Sequence, residues 1–182
     1  RDGLVPSGGA ATVILESYES AVKRGAPILG EVIGYGFSSN GDHISVPNVD
    51  GPVQSLKKAI KDANIQPDEI DYLNAHATST PVGDLNEAKA IYKVFNKGRV
   101  PISSTKGMTG HEMWMGSASE IIYSMLMAQD SFIAPNLNFE NPDEHSAKLN
   151  IITKTVDHKI KTFLSNSFGF GGTNSTLIVR KL

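Results

Sequence analysis

Residues 70–95 read IDYLNAHATSTPVGDLNEAKAIYKVF. Ile70–Ala75 is a short apolar run of the kind that forms a buried strand. Further on, Leu85, Ala88, Ile91, Tyr92 and Phe95 recur at helical spacing, which predicts an amphipathic helix over Asp84–Phe95. Between the two lies a turn rich in Ser and Thr whose hydroxyls can cap the helix near Gly83-Asp84. Strand, loop and helix in this order make one unit of a layered α/β fold. Ligands in such folds bind beyond the carboxyl ends of the strands. His76 stands at that place. Taken alone, it could equally be a histidine fixed by local hydrogen bonds.

The same alternation extends outward. Val53–Ala63 has apolar residues at helical spacing, and Val100–Ser103 predicts a short strand. Met113–Ala128 predicts a helix apolar on nearly every side, and therefore buried between layers. Ala147–Thr153, Thr162–Ser165 and Ser175–Val179 read as further strands. Upstream, Ala10–Leu15 and Ile28–Gly34 read as strands around a short helix, Glu16–Arg24, that ends at Gly25. Phe37–Val49 is loop-like, rich in Ser, Asn, Gly, Asp and Pro. It is the expected boundary between two parts, 1–40 and 41–182. Helices and strands alternate first and strands cluster at the end, as in an α/β fold with a mixed sheet.

Composition narrows the function. The chain has 182 residues, 40% hydrophobic and 20% charged, with a net charge of −2. These are ordinary values for a globular chain. No basic run marks a nucleic-acid partner, and no apolar stretch nears the ~20 residues of a membrane span. With no cysteine, disulfides, cysteine metal sites and a cysteine nucleophile within these residues are excluded. The opening Arg1-Asp2-Gly3 lacks an initiator Met and a signal core. It reads as a chain cut from something longer, with a processed mature protein as the alternative.

Two more loops carry unusual residues. In Ser103-Ser-Thr-Lys106-Gly-Met-Thr-Gly110-His111, a lysine and a histidine flank two glycines before the apolar helix. A buried lysine there needs a matched charge. The start of a helix would push His111 towards its neutral form. In Ser165-Asn-Ser-Phe168-Gly-Phe170-Gly-Gly-Thr-Asn174, three glycines and two aromatics can expose backbone N–H groups or move a ring. It is no phosphate loop, since a strand follows it and no Lys-Ser/Thr pair does. Glu120, inside the apolar helix, requires a partner; Glu87 on the preceding helix suggests a buried polar cluster. Two histidines, a lysine and a glycine loop at strand ends suit stabilisation of an oxyanion or enolate without a metal.

These three loops, NAHATSTPVGD, STKGMTGH and SNSFGFGGTNSTLIV, resemble the C-terminal half of the β-ketoacyl–acyl-carrier-protein synthases of the thiolase-like superfamily. Their pattern is N-x-HGTSTPxxD, K-xx-xGH and NSFGFGGTN. The opening RDGLVPSGGAATVILESYESAVKRGA also resembles the family stretch before the domain crossover, so the likeness runs end to end. IGYG, FIAP and LNI, in that order, resemble the type I bacterial elongation synthases. The resemblance implies a thiolase-like layered fold with a mixed five-stranded sheet, made of the C-terminal half plus the last strands of the N-terminal half. It implies decarboxylative Claisen condensation in fatty-acid elongation, with no cofactor beyond the phosphopantetheine carried by acyl carrier protein. His76 and His111 would hold the malonyl thioester and stabilise its enolate, and Lys106 would order the site electrostatically. Thr78 and Thr80 would bond the phosphopantetheine arm. Phe170 would gate the acyl pocket and give half the oxyanion hole, and Met113 would line that pocket. The nucleophilic Cys belongs to the N-terminal half. A cytoplasmic homodimer is also implied. In some members, positions matching Asn74, Glu87, Glu120, Ser165 and Asn166 hold a structural cation.

Two departures stand out. Ala77 replaces the Gly after the first histidine. Where the family reads G-H-x-x-G-A-A-G, Trp114 and Met115 replace Gly and Ala, and such bulk demands compensating space. A silent partner subunit resembling a chain-length factor is the alternative function. A degradative thiolase, which uses a cysteine near its C-terminus, is disfavoured.

Overall fold

The computed structural model describes residues 2–95 and 99–182. Its helices are α1 (Tyr18–Lys23), α2 (Asp50–Asp62), α3 (Pro81–Val94), α4 (Lys106–Thr109) and α5 (Gly116–Asp130). Its strands are β1 (Gly30–Ser39), β2 (Tyr72–Asn74), β3 (Ile102–Ser103), β4 (Phe132–Ile133), β5 (Val156–Asp157), β6 (Thr162–Gly169) and β7 (Thr173–Lys181). Five of them form one sheet in the order β1-β7-β6-β2-β3. The β1–β7 and β7–β6 pairs are antiparallel, and β6–β2 and β2–β3 are parallel. This is the mixed five-stranded α/β sheet expected from the sequence.

Helices cover both faces because successive strand residues point to opposite sides. On β6, Leu164 joins Leu56 and Ala59 of α2 and Ala90 and Ile91 of α3. Its neighbour Phe163 joins Met127 and Ala128 of α5 on the other face. Close approach of α2 depends on glycine in β1: a Cβ at Gly36 would stand 1.9 Å from the Ser55 carbonyl oxygen. The two faces are unequally covered. Val32, Tyr35 and Phe37 of β1 pair with Val179, Leu177 and Ser175 on the α5 side and are 44%, 49% and 44% exposed.

Several elements differ from expectation. Ala10–Leu15 forms no strand. Val13, Ile14 and Leu15 are exposed, so its β-branched apolar pattern finds no sheet edge among the described residues. Ala147–Thr153 is not a strand either. It begins in a 3₁₀ turn, Ser146–Lys148, and Ile151 makes only an isolated bridge to Ile102. The helix expected from Asp84 starts at Pro81, which suits a first helical position because it has no N–H to satisfy. Asp84 Oδ1 accepts the Ser79 N–H at 3.0 Å, so the loop is tied by a carboxylate, while Thr80 at the N-cap makes no side-chain cap. The helix expected over Met113–Ala128 is divided into a 3₁₀ turn, Met113–Met115, and α5. Only one side of α5 is buried: Leu126 is 49% exposed. Among the described residues no helix is long and apolar enough to cross a membrane.

Candidate functional site

The loops after β2 and β3 and the turn between β6 and β7 meet at one end of the sheet. Their register explains the meeting. Asn74 pairs with Ser103 and with Ser165, so β2 and β3 end side by side while β6 runs on beside them to Gly169. His76 then lies between two rings. Its centroid is 5.6 Å from His111 and 5.5 Å from Phe168, both edge-on.

Glu87 of α3 fixes the His76 loop. It is 3% exposed. Its oxygens accept the His76 N–H at 2.9 Å, the Ala77 N–H at 2.7 Å and the Asn166 side-chain amide at 3.0 Å. Asn166 in turn accepts from Thr176 at 2.9 Å. Asn74 contacts Ser165 and Tyr72, each at 3.4 Å. Burial raises the Glu87 pKa, against the hydrogen bonds it accepts. Asn74, Glu87, Ser165 and Asn166 are thus each engaged by hydrogen bonds. Among the described residues, no group of three or more His, Cys, Asp or Glu gathers to hold a metal ion.

Lys106 is buried and its ammonium contacts the Glu120 carboxylate, the side chains being 7% and 2% exposed. Glu120 therefore has its required partner in Lys106, with Glu87 acting on it only as a like charge. Burial pushes the Glu120 pKa up to about 7 despite the ammonium. The same ammonium reaches both imidazoles. Burial first, then the charge of Lys106, then His111 hold His76 well below the usual histidine range. Burial and Lys106 lower His111 as well. The cause expected from sequence, a helix start at His111, is replaced, because α5 begins only at Gly116.

His111 has a defined tautomer. The Met113 N–H donates to its Nδ1 at 3.0 Å. A neutral imidazole that accepts at Nδ1 carries its proton on Nε2. The backbone of His111 is held on its other side by residues 5–7: its N–H donates to Val5 at 2.7 Å, and its carbonyl accepts from Ser7 at 2.9 Å.

These rings open on a cleft of about 850 Å³. Thr78, Thr80, Met113, Trp114, Phe168 and Phe170 line it. Thr78 and Thr80 share a hydrogen bond at 3.1 Å. Phe170 starts a 3₁₀ turn between β6 and β7 and is 78% exposed. Trp114 is 99% exposed, so it is not a filler of this chain's core. The loop at Ile44 also lines the cleft and adjoins the Phe170 turn, its carbonyl accepting the Gly171 N–H at 2.8 Å.

The structure thus gathers every residue singled out from the sequence: His76, Lys106 and His111 at the centre, Thr78, Thr80, Met113 and Phe170 around the cleft. Sequence reading missed Phe168, the Ile44 loop and Glu112. Phe168 was legible as the aromatic ending an apolar strand; the other two depend on tertiary contacts. Chemically, the site offers two neutral imidazoles, one with a defined N–H donor, beside a buried cation. Its buried carboxylates, Glu87, Glu112 and Glu120, are already engaged.

Comparison with known proteins agrees with this geometry. A family model described as β-ketoacyl synthase, C-terminal domain, matches residues 29–140. The 3-oxoacyl-(acyl-carrier-protein) synthase 1 of Escherichia coli is 48% identical over 182 residues, covering 100% of this chain and 44% of that protein. The mitochondrial 3-oxoacyl-(acyl-carrier-protein) synthase of Arabidopsis thaliana is 42% identical over 185 residues, covering 98% and 40%. A type II polyketide ketosynthase, solved in complex with its acyl-carrier protein, superposes with a TM-score of 0.93 at 35% identity, covering 100% of this chain and 46% of that one. A β-ketoacyl synthase from Burkholderia phymatum gives 0.88 at 36% identity, covering 92% and 41%. The chain therefore spans less than half the length of these relatives.

Proposed function

Because this chain belongs to the β-ketoacyl synthase family, whose C-terminal domain it carries, we propose that its parent protein condenses malonyl units with acyl chains on acyl carrier protein. The observation that carries the reading is the pair of neutral histidines beside buried Lys106 at the mouth of an apolar cleft. The malonyl thioester carbonyl accepts hydrogen bonds from His76 and His111. The bond to the carboxylate breaks, carbon dioxide leaves, and the electron pair passes into the thioester as an enolate. Nε2–H of His111 donates to the developing oxyanion, where a preorganised donor is worth most. Neutral imidazoles suit this chemistry, since both can bind without bringing a second and third positive charge next to Lys106. The enolate carbon then attacks the acyl thioester on a cysteine, a carbon–carbon bond forms and the thiolate leaves.

That cysteine comes from the part of the parent outside this chain, which itself has none. In this reading Thr78 and Thr80 bind the phosphopantetheine arm. Phe170 gates the acyl pocket and its N–H supplies half the oxyanion hole, while Met113 lines the pocket. The parent acts as a cytoplasmic homodimer. A silent partner subunit would have no use for two histidines and a charge-matched lysine. The test is the coding sequence upstream together with an assay. The parent should carry a Cys between a strand and a helix, and should form 3-oxoacyl product and carbon dioxide from malonyl- and acyl-acyl carrier protein. A parent without that Cys, or one that yields no product, contradicts the reading. The isolated chain should condense nothing, since without a thiol no acyl-enzyme forms.

A further inference from the structure

Glu112 stands next to His111 and takes no part in the chemistry above. The family pattern leaves its position open, and its side chain is only 8% exposed. Ser119 donates its hydroxyl to one carboxylate oxygen at 2.5 Å. Tyr123 donates to the other at 3.3 Å. Both donors belong to α5, so the carboxylate ties the histidine loop to that helix. The extended segment at Gly9 passes over it: a Cβ there would lie 3.7 Å from Glu112 Oε1 and 3.5 Å from Met115 Cε.

The path from Glu112 to His111 runs through Met113. Met113 sits at φ 50°, left-handed backbone that costs a non-glycine residue about 1–3 kcal/mol. Such a conformation persists only where its surroundings hold it. In it, the Met113 N–H points back to His111 Nδ1. Met113 also opens the 3₁₀ turn that runs into α5, so an anchor between residue 112 and α5 closes a short loop around it.

The geometry points to Glu112 as a positioning residue: by fastening to Ser119 and Tyr123 it holds Met113 left-handed, and so keeps the His111 proton on Nε2. The inference rests on the reading of His111 as the enolate donor. Without the anchor, Met113 relaxes towards an ordinary conformation and its N–H leaves Nδ1. The proton is then free to move to Nδ1, where it cannot meet the enolate. Transfer of the acyl chain to the cysteine does not use that proton and is untouched.

The experiment uses the full-length parent carrying Glu112→Ala or Glu112→Gln. Three quantities are read: malonyl-acyl carrier protein decarboxylation, acyl transfer to the cysteine, and the ¹⁵N resonances of the His111 ring. Glu112→Ala should lower decarboxylation about 100-fold, the scale of a misplaced catalytic group, leave acyl transfer unchanged, and move Nδ1 from the unprotonated towards the protonated range. Glu112→Gln, whose single amide oxygen can take the place of only one of the two acceptors, should restore part of the rate. Equal rates and an unchanged Nδ1 resonance in Glu112→Ala overturn the inference. So does a parallel loss of both half-reactions with a lowered melting temperature, which would make Glu112 a packing residue only. If Glu112→Ala does not fold, Ser119→Ala and Tyr123→Phe each remove one donor and should give smaller losses of the same selectivity; unaltered decarboxylation in both overturns it equally. A wild-type parent that fails to decarboxylate malonyl-acyl carrier protein sinks the functional reading instead, while the His111 resonances still test the tautomer.

Discussion

The two faces of the sheet differ sharply. Towards α2 and α3, Leu56, Ala59, Leu73, Leu164 and Ile178 are fully buried, and the adjoining polar cluster around Glu87 is engaged by hydrogen bonds. Towards α5, cover stops short of β1 and leaves Val32, Tyr35 and Phe37 about half exposed, with Trp114 and Phe170 more so. The closed face fixes the histidine loop from behind. The open face supplies an apolar wall that this chain does not complete. The histidine loop therefore sits on rigid support, while the α5 side of β1 keeps its apolar side chains half exposed.

The largest expected effect is on the closed face. Glu87→Ala in the parent leaves the His76 and Ala77 N–H groups without acceptors. At about 1–3 kcal/mol for each buried unsatisfied donor, the unfolding midpoint should drop by several degrees and decarboxylation should fall with it. A variant as stable as wild type would break the claim that this carboxylate holds the loop.

Lys106→Ala comes next and sharpens the comparison through pH. The folded-state pKa of Glu120 is raised to about 7 from 4.5. A carboxyl with a raised folded pKa contributes its stability below the unfolded value and loses it as pH rises through the folded one. Removing the ammonium raises that pKa further. The variant should therefore lose much more stability at pH 8 than at pH 5, up to about 3–5 kcal/mol for an unpaired buried charge. Equal losses at both values would contradict the pairing. Thermal melts across that range decide it.

On the open face effects should be small in the isolated chain. Tyr35→Ala and Trp114→Gly should each shift its stability by about 0.5 kcal/mol or less, as at ordinary surfaces, against about 2–5 kcal/mol for Leu164→Ala. The isolated chain should also bind an apolar dye that the parent does not. In the parent, Trp114→Gly should move the preferred acyl-chain length, read by assay across acyl-acyl carrier proteins. An unchanged optimum with lowered stability would make Trp114 packing alone.

The sequence made most of the closed face legible. Short apolar runs located β2, β6 and β7, and helical spacing located α2 and α3, because those elements are buried within this chain. It misled at Ala10–Leu15 and α5, where apolar patterns promise burial that these residues do not themselves provide. The site loops were legible as motifs. The partners within them were partly so: Glu120 plainly needed one, but that it was Lys106 rather than Glu87 depends on how the first residue of α4 meets α5 in the fold. Glu112 and Ile44 act through contacts set by the third dimension, and Met113's left-handed backbone carries no glycine or asparagine to announce it.

The central claim, that a neutral His111 stabilises a malonyl enolate, is tested most directly by decarboxylation of malonyl-acyl carrier protein by the parent and its His111→Ala variant across pH. Because the His111 pKa is lowered in the fold, the wild-type rate should stay level from pH 8 to about 6.5, the unperturbed histidine value, and fall only below it. His111→Ala should lose about 100- to 1000-fold, the scale of a missing oxyanion donor, at every pH. A variant that decarboxylates at the wild-type rate, or a wild-type rate that falls steadily from pH 8, would contradict the account.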